Sequence, residues 1–67
     1  MTRFEAYRRM AGLTQQDVAD FFNISQVSVW QWDNGESFPR ADKLTALAEL
    51  YGCTVDELLG TEGGDKS

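Results

Sequence analysis

Two long amides and two apolar side chains, spaced along one short helical pattern, are the residues best suited to contact a partner. With Ser25 as the cap and a rotation of about 100° per residue, the pattern places four side chains within about 140° of one another on a single helix face: Gln26, Val27, Trp30 and Gln31. Val29 and Trp32 project to the opposite side as an apolar stripe. Glutamine amides both donate and accept hydrogen bonds, so we expect the first face to touch something outside the fold.

Most catalytic and metal-binding chemistry lacks the residues that it needs. The 67 residues include no histidine and a single cysteine, Cys53. The common nucleophile–base pairs and metal clusters therefore have few members, which predicts that the protein is not an enzyme and carries no cofactor or metal. One cysteine can form no internal disulfide, so no oxidising compartment is required. Cys53 itself suits an inner helix position.

The chain shows no signature of a membrane span or a targeting segment. Its first residues, MTRFEAYRRMAG, carry charge throughout, and no later stretch approaches the roughly 18 consecutive apolar residues of a transmembrane helix. These features predict a soluble, cytoplasmic protein without membrane contact. No small-molecule ligand is evident either.

The net charge of −5 opposes general binding to polyanions, but it is unevenly distributed. Four arginines against five acidic residues give −1 for residues 1–41, whereas two lysines against six acidic residues give −4 for residues 42–67. The acidity therefore lies mostly at the C-terminal end, and a surface built from the first part can be locally neutral or weakly positive.

Capping residues and apolar spacing predict five short helices and no strand. Threonine or serine caps at positions 2, 14, 25 and 54 predict helices over about 2–11, 14–22, 25–34 and from 54 onward. Pro39 and the apolar spacing that follows it predict a further helix over about 41–50. Asn23 is expected to close the second helix in the left-handed conformation. The side chains predicted to face the core include Phe4, Tyr7, Met10, Val18, Ala19, Phe22, Val29, Trp32, Leu44, Leu47, Ala48, Tyr51, Val55, Leu58 and Leu59.

A chain of this length has room for one small core, because only about 60% of its surface can be buried on folding. The fold class that follows is all-α, a five-helix bundle over residues 1–60. Residues 61–67, TEGGDKS, contain no apolar side chain and are expected to form a flexible tail or the start of a linker.

The joint order of these motifs resembles the Xre/Cro/phage-repressor type of helix-turn-helix DNA-binding domain. The segment GLTQQDVADFFNISQVSVWQWDNG, then Pro39, then DKLTALAELYGCTVDELL is similar to the family pattern from about residue 3 to residue 60. The resemblance implies a lambda-repressor-like fold whose third helix, 25–34, enters the major groove of double-stranded DNA. It further implies a sequence-specific transcriptional regulator of a bacterium or phage, most simply a repressor.

The resemblance also assigns roles to single residues. Base contacts are implied for Gln26, Val27, Trp30 and Gln31, where an amide can bind adenine N6 and N7 and a valine can pack on a thymine methyl group. Phosphate-backbone contacts are implied for Gln15, Ser25, Ser28, Asn34 and Arg40. Arg8 and Asp33 match a structural ion pair between the first helix and the end of the third. A homodimer on a palindromic operator would double the phosphate contacts.

Departures from the family pattern leave a second interpretation open. Glu36 and Ser37 stand in the loop where family members usually carry Lys or Arg, Asn23 replaces the usual glycine, and a polar residue is common at the position of Phe21. With the net acidity, these residues also suit an antitoxin-like or anti-repressor protein-interaction module on the same fold, with weak or no DNA binding. Exposure of three aromatic side chains would favour it, and packing over neighbouring loops is the competing prediction for each: Phe21, Trp30 and Phe38.

Overall fold

The protein folds as five α-helices in a computed structural model that describes residues 2–60. The helices are α1 (Arg3–Met10), α2 (Gln15–Phe22), α3 (Gln26–Asp33), α4 (Ala41–Tyr51) and α5 (Val55–Leu59). Over those described residues no strand occurs, and the all-α prediction is confirmed. The helix α4 runs one residue beyond its predicted end. The predicted tail, 61–67, lies outside the described residues.

Two predicted capping boxes form in full. Thr14 Oγ1 accepts a hydrogen bond from the Asp17 backbone N–H at 2.9 Å, and the Asp17 carboxylate accepts one from the Thr14 N–H at 2.9 Å. Thr54 and Glu57 repeat the arrangement at the start of α5. Each box satisfies two backbone donors that a helix start leaves unpaired, so these threonines set where the helices begin.

The predicted box at the start of α1 forms only by half. Thr2 Oγ1 accepts from the Glu5 backbone N–H at 3.2 Å, but the Glu5 carboxylate turns outward and pairs with Arg9 at 2.9 Å, one helical turn away. Thr2 Oγ1 also donates to the Asp33 carbonyl at 2.6 Å. The first helix is thereby joined to the end of the third.

The core is a single cluster in which every helix takes part. Its buried apolar members are Phe4, Val18, Ala19, Val29, Trp32, Leu47, Ala48, Tyr51 and Leu58. Two predicted core residues were wrong, because Met10 is 71% exposed and Leu59 is 42% exposed. A spacing of three residues drifts by about 60° per step around a helix, so Met10 has turned about 120° away from Phe4. Leu59 directly follows the buried Leu58, so it is turned about 100° away from it around the helix.

The connection between α2 and α3 depends on one left-handed residue. Asn23 has φ 58° and ψ 49°, as predicted for the closing position of α2. The chain then reverses, and the Ile24 N–H donates to the Ala19 carbonyl at 2.9 Å. Ala19 is fully buried, and its small side chain lets α3 approach α2 closely. This short turn sets the direction of α3.

Candidate nucleic-acid interface

The inner side of α3 is anchored in the core by two residues three positions apart. Val29 has no exposed surface, and Trp32 is only 5% exposed. The Trp32 indole meets the Phe22 ring edge to face, with ring centroids 6.1 Å apart and an interplanar angle of 84°. The stripe predicted from the helical projection is therefore confirmed, and it fixes which side of α3 faces away from the core.

The outer side of α3 carries all four residues predicted to contact bases. Val27 is 55% exposed and Trp30 is 42% exposed, while Gln26 and Gln31 are partly buried. None of the four is buried. An α-helix with its side chains is about 10–12 Å in diameter, which suits the width of the major groove of B-DNA, about 12 Å.

The two ends of α3 carry polar side chains that already hold local hydrogen bonds. At the N-terminus, Ser25 Oγ accepts from the Val27 backbone N–H at 3.1 Å. At the C-terminus, exposed Asn34 donates through Nδ2 to the Trp30 carbonyl at 2.8 Å. Ser28, also predicted to contact the DNA backbone, is partly buried in the first turn. These residues flank the outer face, and their contacts with phosphate stay predictions.

Charge lies beside the outer face of α3 and not on it. The one formally charged residue of α3 is Asp33, which is only 2% exposed. In the loop that follows, Glu36 is exposed. The Arg40 side chain is 84% exposed, with its Nε 4.0 Å from Asp42 Oδ1. At this separation and exposure the ion pair is weak, so the Arg40 guanidinium stays accessible to an anion.

A buried ion pair holds the first helix to the third, as the resemblance implied. Arg8 Nε donates to Asp33 Oδ2 at 2.9 Å, and a second guanidinium nitrogen, Nη1, donates to the Leu13 carbonyl at 2.7 Å. Within residues 2–60, the buried Asp33 Oδ1 has no hydrogen-bond partner. Burial and the nearby Asp33 carboxylate raise the pKa of Tyr51 well above its usual value.

Gln15 connects this ion pair to the outer face of α3, a relationship that sequence reasoning missed. Its Nε2 donates to Asp33 Oδ2 at 2.9 Å, and its Oε1 accepts a short hydrogen bond from Gln26 Nε2. The partners lie 18 and 11 residues away along the chain, so helical spacing within one element could not reveal them. Gln15 was expected to contact phosphate, and the structure places it beside Gln26 and partly buried.

Two of the three aromatic side chains discussed above are exposed and belong to segments other than α3. Phe21 is 60% exposed and Phe38 is 69% exposed. Phe38 lies on the edge of an open groove of about 260 Å³, with its ring centroid 6.0 Å from that of Phe4. The groove is lined by Thr2, Arg3, Phe4, Gly35, Phe38, Leu58 and Leu59. This apolar surface is the feature that suits a protein partner.

Other kinds of site have little support in the described chain. Over residues 2–60, no helix is both long enough and apolar enough to cross a membrane. The same residues contain no group of three or more His, Cys, Asp or Glu side chains placed to hold a metal ion. Cys53 packs against the core, and burial, with the Glu57 carboxylate nearby, raises the pKa of its thiol. A raised pKa disfavours the reactive thiolate.

Comparison with known proteins gives a family match over almost the whole described chain. Residues 2–59 match the family described as "Helix-turn-helix domain". The chain is 37% identical to the 26 kDa repressor protein of Escherichia phage HK022 over 51 residues, which are 76% of this chain and 22% of that protein. It is 27% identical to the HTH-type transcriptional activator BcrR of Enterococcus faecalis over 60 residues, 90% of this chain and 29% of that one.

A third relative is covered over more of its length. The cryptic phage CTXphi transcriptional repressor RstR of Vibrio cholerae is 29% identical over 65 residues, 97% of this chain and 58% of RstR. The chain therefore spans between 22 and 58% of the length of these three relatives. No solved structure is significantly similar to the chain.

Proposed function

The chain belongs to the helix-turn-helix family, of the Xre/Cro/phage-repressor type, and from this membership we propose that it binds double-stranded DNA and regulates transcription. The helix α3 enters the major groove and reads base edges. In a bacterium or phage-infected cell this takes place in the cytoplasm, where the DNA is. Repression by occupying an operator is the simplest mode, since it requires no further contact with polymerase.

The main support for the proposal is that one side of α3 is buried in the core and the other side faces solvent. Val29 and Trp32 are held in the core, so Gln26, Val27 and Gln31 are held on the side that faces solvent. Their amides offer donors and acceptors for adenine N6 and N7, and the valine offers a methyl-sized apolar contact for thymine. A rigidly anchored helix presents these groups in a constant arrangement, which sequence-specific recognition requires.

Phosphate contacts come from the residues beside α3. Arg40 supplies an accessible guanidinium in the loop that leads to α4, while Asn34 and Ser28 lie at the two ends of α3. Gln15 lies beside Gln26, with part of its surface exposed. Such contacts orient a protein on DNA without reading its sequence. Because few cations are available, two copies on a palindromic operator are proposed as the binding unit, which doubles the phosphate contacts.

A second candidate function has its own support. Phe21 and Phe38 are exposed and lie outside α3, and Glu36 places negative charge next to the proposed interface. These features suit an antitoxin-like or anti-repressor module that binds another protein. The two functions differ in one measurable property, which is affinity for DNA in the absence of a protein partner.

Titration of the chain with fluorescent random duplexes at low salt separates the two candidates. DNA binding predicts measurable affinity and enrichment of one sequence, with two-fold symmetry if a dimer binds. Gln31→Ala should relax the sequence preference at one base pair and weaken the free energy of binding to the preferred duplex by about 1–3 kcal/mol. Arg40→Ala should weaken binding to every duplex and reduce the salt dependence by about one unit of slope. No binding at low salt would favour the protein-interaction module.

A further inference from the structure

The Gln26 amide is the end of a hydrogen-bonded chain that begins at a buried ion pair. We propose that Arg8 and Asp33 are positioning residues that determine which atom donates and which accepts in each of these hydrogen bonds. In this way they make Gln26 select adenine over guanine at the base pair it faces. This inference rests on the proposed DNA binding. It goes beyond that function by assigning a specificity role to two residues that cannot themselves reach a base.

The direction of the chain starts at the Asp33 carboxylate. An ionised carboxylate accepts hydrogen bonds and donates none, and Asp33 Oδ2 already accepts one from Arg8 Nε at 2.9 Å. Oδ2 also accepts from Gln15 Nε2 at 2.9 Å. Gln15 must therefore turn its nitrogen toward Asp33 and its oxygen away from it. Because Arg8 is only 7% exposed and Asp33 only 2% exposed, water does not compete for these positions.

The orientation of the Gln15 amide in turn determines the orientation of the Gln26 amide. Gln15 Oε1 can only accept, so Gln26 must offer its nitrogen, and Nε2 donates to that oxygen. One of the two Gln26 N–H groups is thereby occupied. The free N–H and the Oε1 acceptor remain for a base.

One donor next to one acceptor complements adenine and opposes guanine. Adenine offers the N7 acceptor and the N6 donor in the major groove, whereas guanine offers two acceptors, N7 and O6. With its amide held in this orientation, Gln26 would place Oε1 against guanine O6 with no hydrogen between them. If Gln15 were free to turn over, Gln26 could reverse its amide or present both N–H groups, which suits guanine. The energies of such pairs correspond to about 5- to 150-fold discrimination between the two bases.

Three sets of variants test the chain of hydrogen bonds. Arg8→Met with Asp33→Leu removes the ion pair without leaving one buried charge, an exchange that is often tolerated in proteins. Gln15→Leu removes the middle link and keeps the ion pair. Asp33→Asn keeps one oxygen that can accept from both Arg8 and Gln15, so it should preserve the direction. Glu5→Gln with Arg9→Gln is the matched control, because it removes an exposed ion pair of α1.

The readout is the ratio of affinities for duplexes with adenine or guanine at the position that Gln26 contacts. The first two sets should lower this ratio by about 5-fold or more, while Asp33→Asn and the control should retain it. Circular dichroism confirms folding for each variant, and if one of the first two sets does not fold, the other decides. A retained ratio in a folded variant of either set would overturn the proposal.

Nuclear magnetic resonance of the side-chain amides separates this proposal from the proposed function. In the wild-type chain without DNA, the Gln15 and Gln26 side-chain N–H signals should be well dispersed and slow to exchange. In the variant that combines Arg8→Met with Asp33→Leu, both signals should shift to the values of solvated amides. If the wild-type chain binds no DNA, the proposed function fails even where the amides are ordered. If DNA binds but the amides exchange freely, the positioning role fails.

Discussion

Leu58 and Leu59 are neighbours in α5, but Leu58 is 1% exposed and Leu59 is 42% exposed. Both side chains line the open groove beside Phe38, but Leu58 also belongs to the buried core and Leu59 does not. The pair offers an internal comparison in which the residue type, helix and chemical change are identical and only burial differs.

Leu58→Ala should lower the free energy of unfolding by about 2–5 kcal/mol, because the substitution removes buried surface and leaves a cavity. Leu59→Ala should lower it by less than about 1 kcal/mol. Urea unfolding followed by tryptophan fluorescence measures both values. Since a domain of this size has a total stability of a few kcal/mol, Leu58→Ala is expected to be partly unfolded at 37 °C. Equal losses in the two variants would contradict the assigned burial of α5.

Asn23 holds a backbone conformation that favours glycine. At φ 58° and ψ 49°, a side chain with a Cβ is strained by about 1–2 kcal/mol, less for asparagine than for most residues. Asn23→Gly should therefore preserve or slightly raise the melting temperature, while Asn23→Ala should lower the stability by about 1 kcal/mol. Thermal unfolding compares the two. A stabilising Asn23→Ala would be inconsistent with this turn geometry.

If DNA binds to α3 as proposed, the exposed Glu36 in the following loop should oppose binding, and its charge can be reversed. Glu36→Lys should raise the affinity for all duplexes several-fold and steepen its salt dependence by about one unit of slope, because a cation then faces phosphate. Glu49→Lys, on the exposed side of α4, makes the same change in net charge, from −5 to −3. Titrations at several salt concentrations compare them. If both variants bind equally tightly, overall charge and not the position of Glu36 controls affinity.

Tyr51 should make the fold sensitive to alkali. Burial and the Asp33 carboxylate raise the pKa of its hydroxyl in the folded chain, whereas in the unfolded chain the group ionises near its usual value of 10.0. The unfolded state therefore loses the proton first, so stability is retained below about pH 10 and falls as the pH rises further.

Urea unfolding at pH 8 and pH 11 tests this expectation. Tyr51→Phe removes the ionisable group, so this variant should lose less stability between the two pH values than the wild-type chain. Tyr7→Phe removes the second of the two tyrosine hydroxyls and serves as the control. The assigned role of Tyr51 fails if both variants lose as much stability at high pH as the wild-type chain.

Much of the fold could be predicted because it depends on interactions within one helical turn. The boxes at Thr14 and Thr54, the cap at Ser25 and the left-handed Asn23 each involve neighbours two to four residues away. Such interactions are encoded by residue type and spacing alone. The apolar stripe of α3 followed in the same way from the helical period, and it determined which side of α3 is available to a partner.

The two wrong core assignments have a local cause. Met10 and Leu59 have the residue type of core residues, but the helical rotation turns each of them away from the buried residue it was grouped with. Phe38 follows no helical period, so the sequence left both exposure and packing open, and the structure places it at 69% exposed against Phe4.

What the sequence determined by itself is the set of helices, their capped ends and the outward face of α3, because each follows from contacts between residues close together in the chain. Only the tertiary structure decided that Gln15, Asp33 and Gln26 meet, across separations of 18 and 11 residues. Gln15 lies on α2 and both of its partners lie on α3, so those distances depend on how the two helices pack against each other in the core. The orientation of the amide on the outer face is therefore a property of the assembled fold.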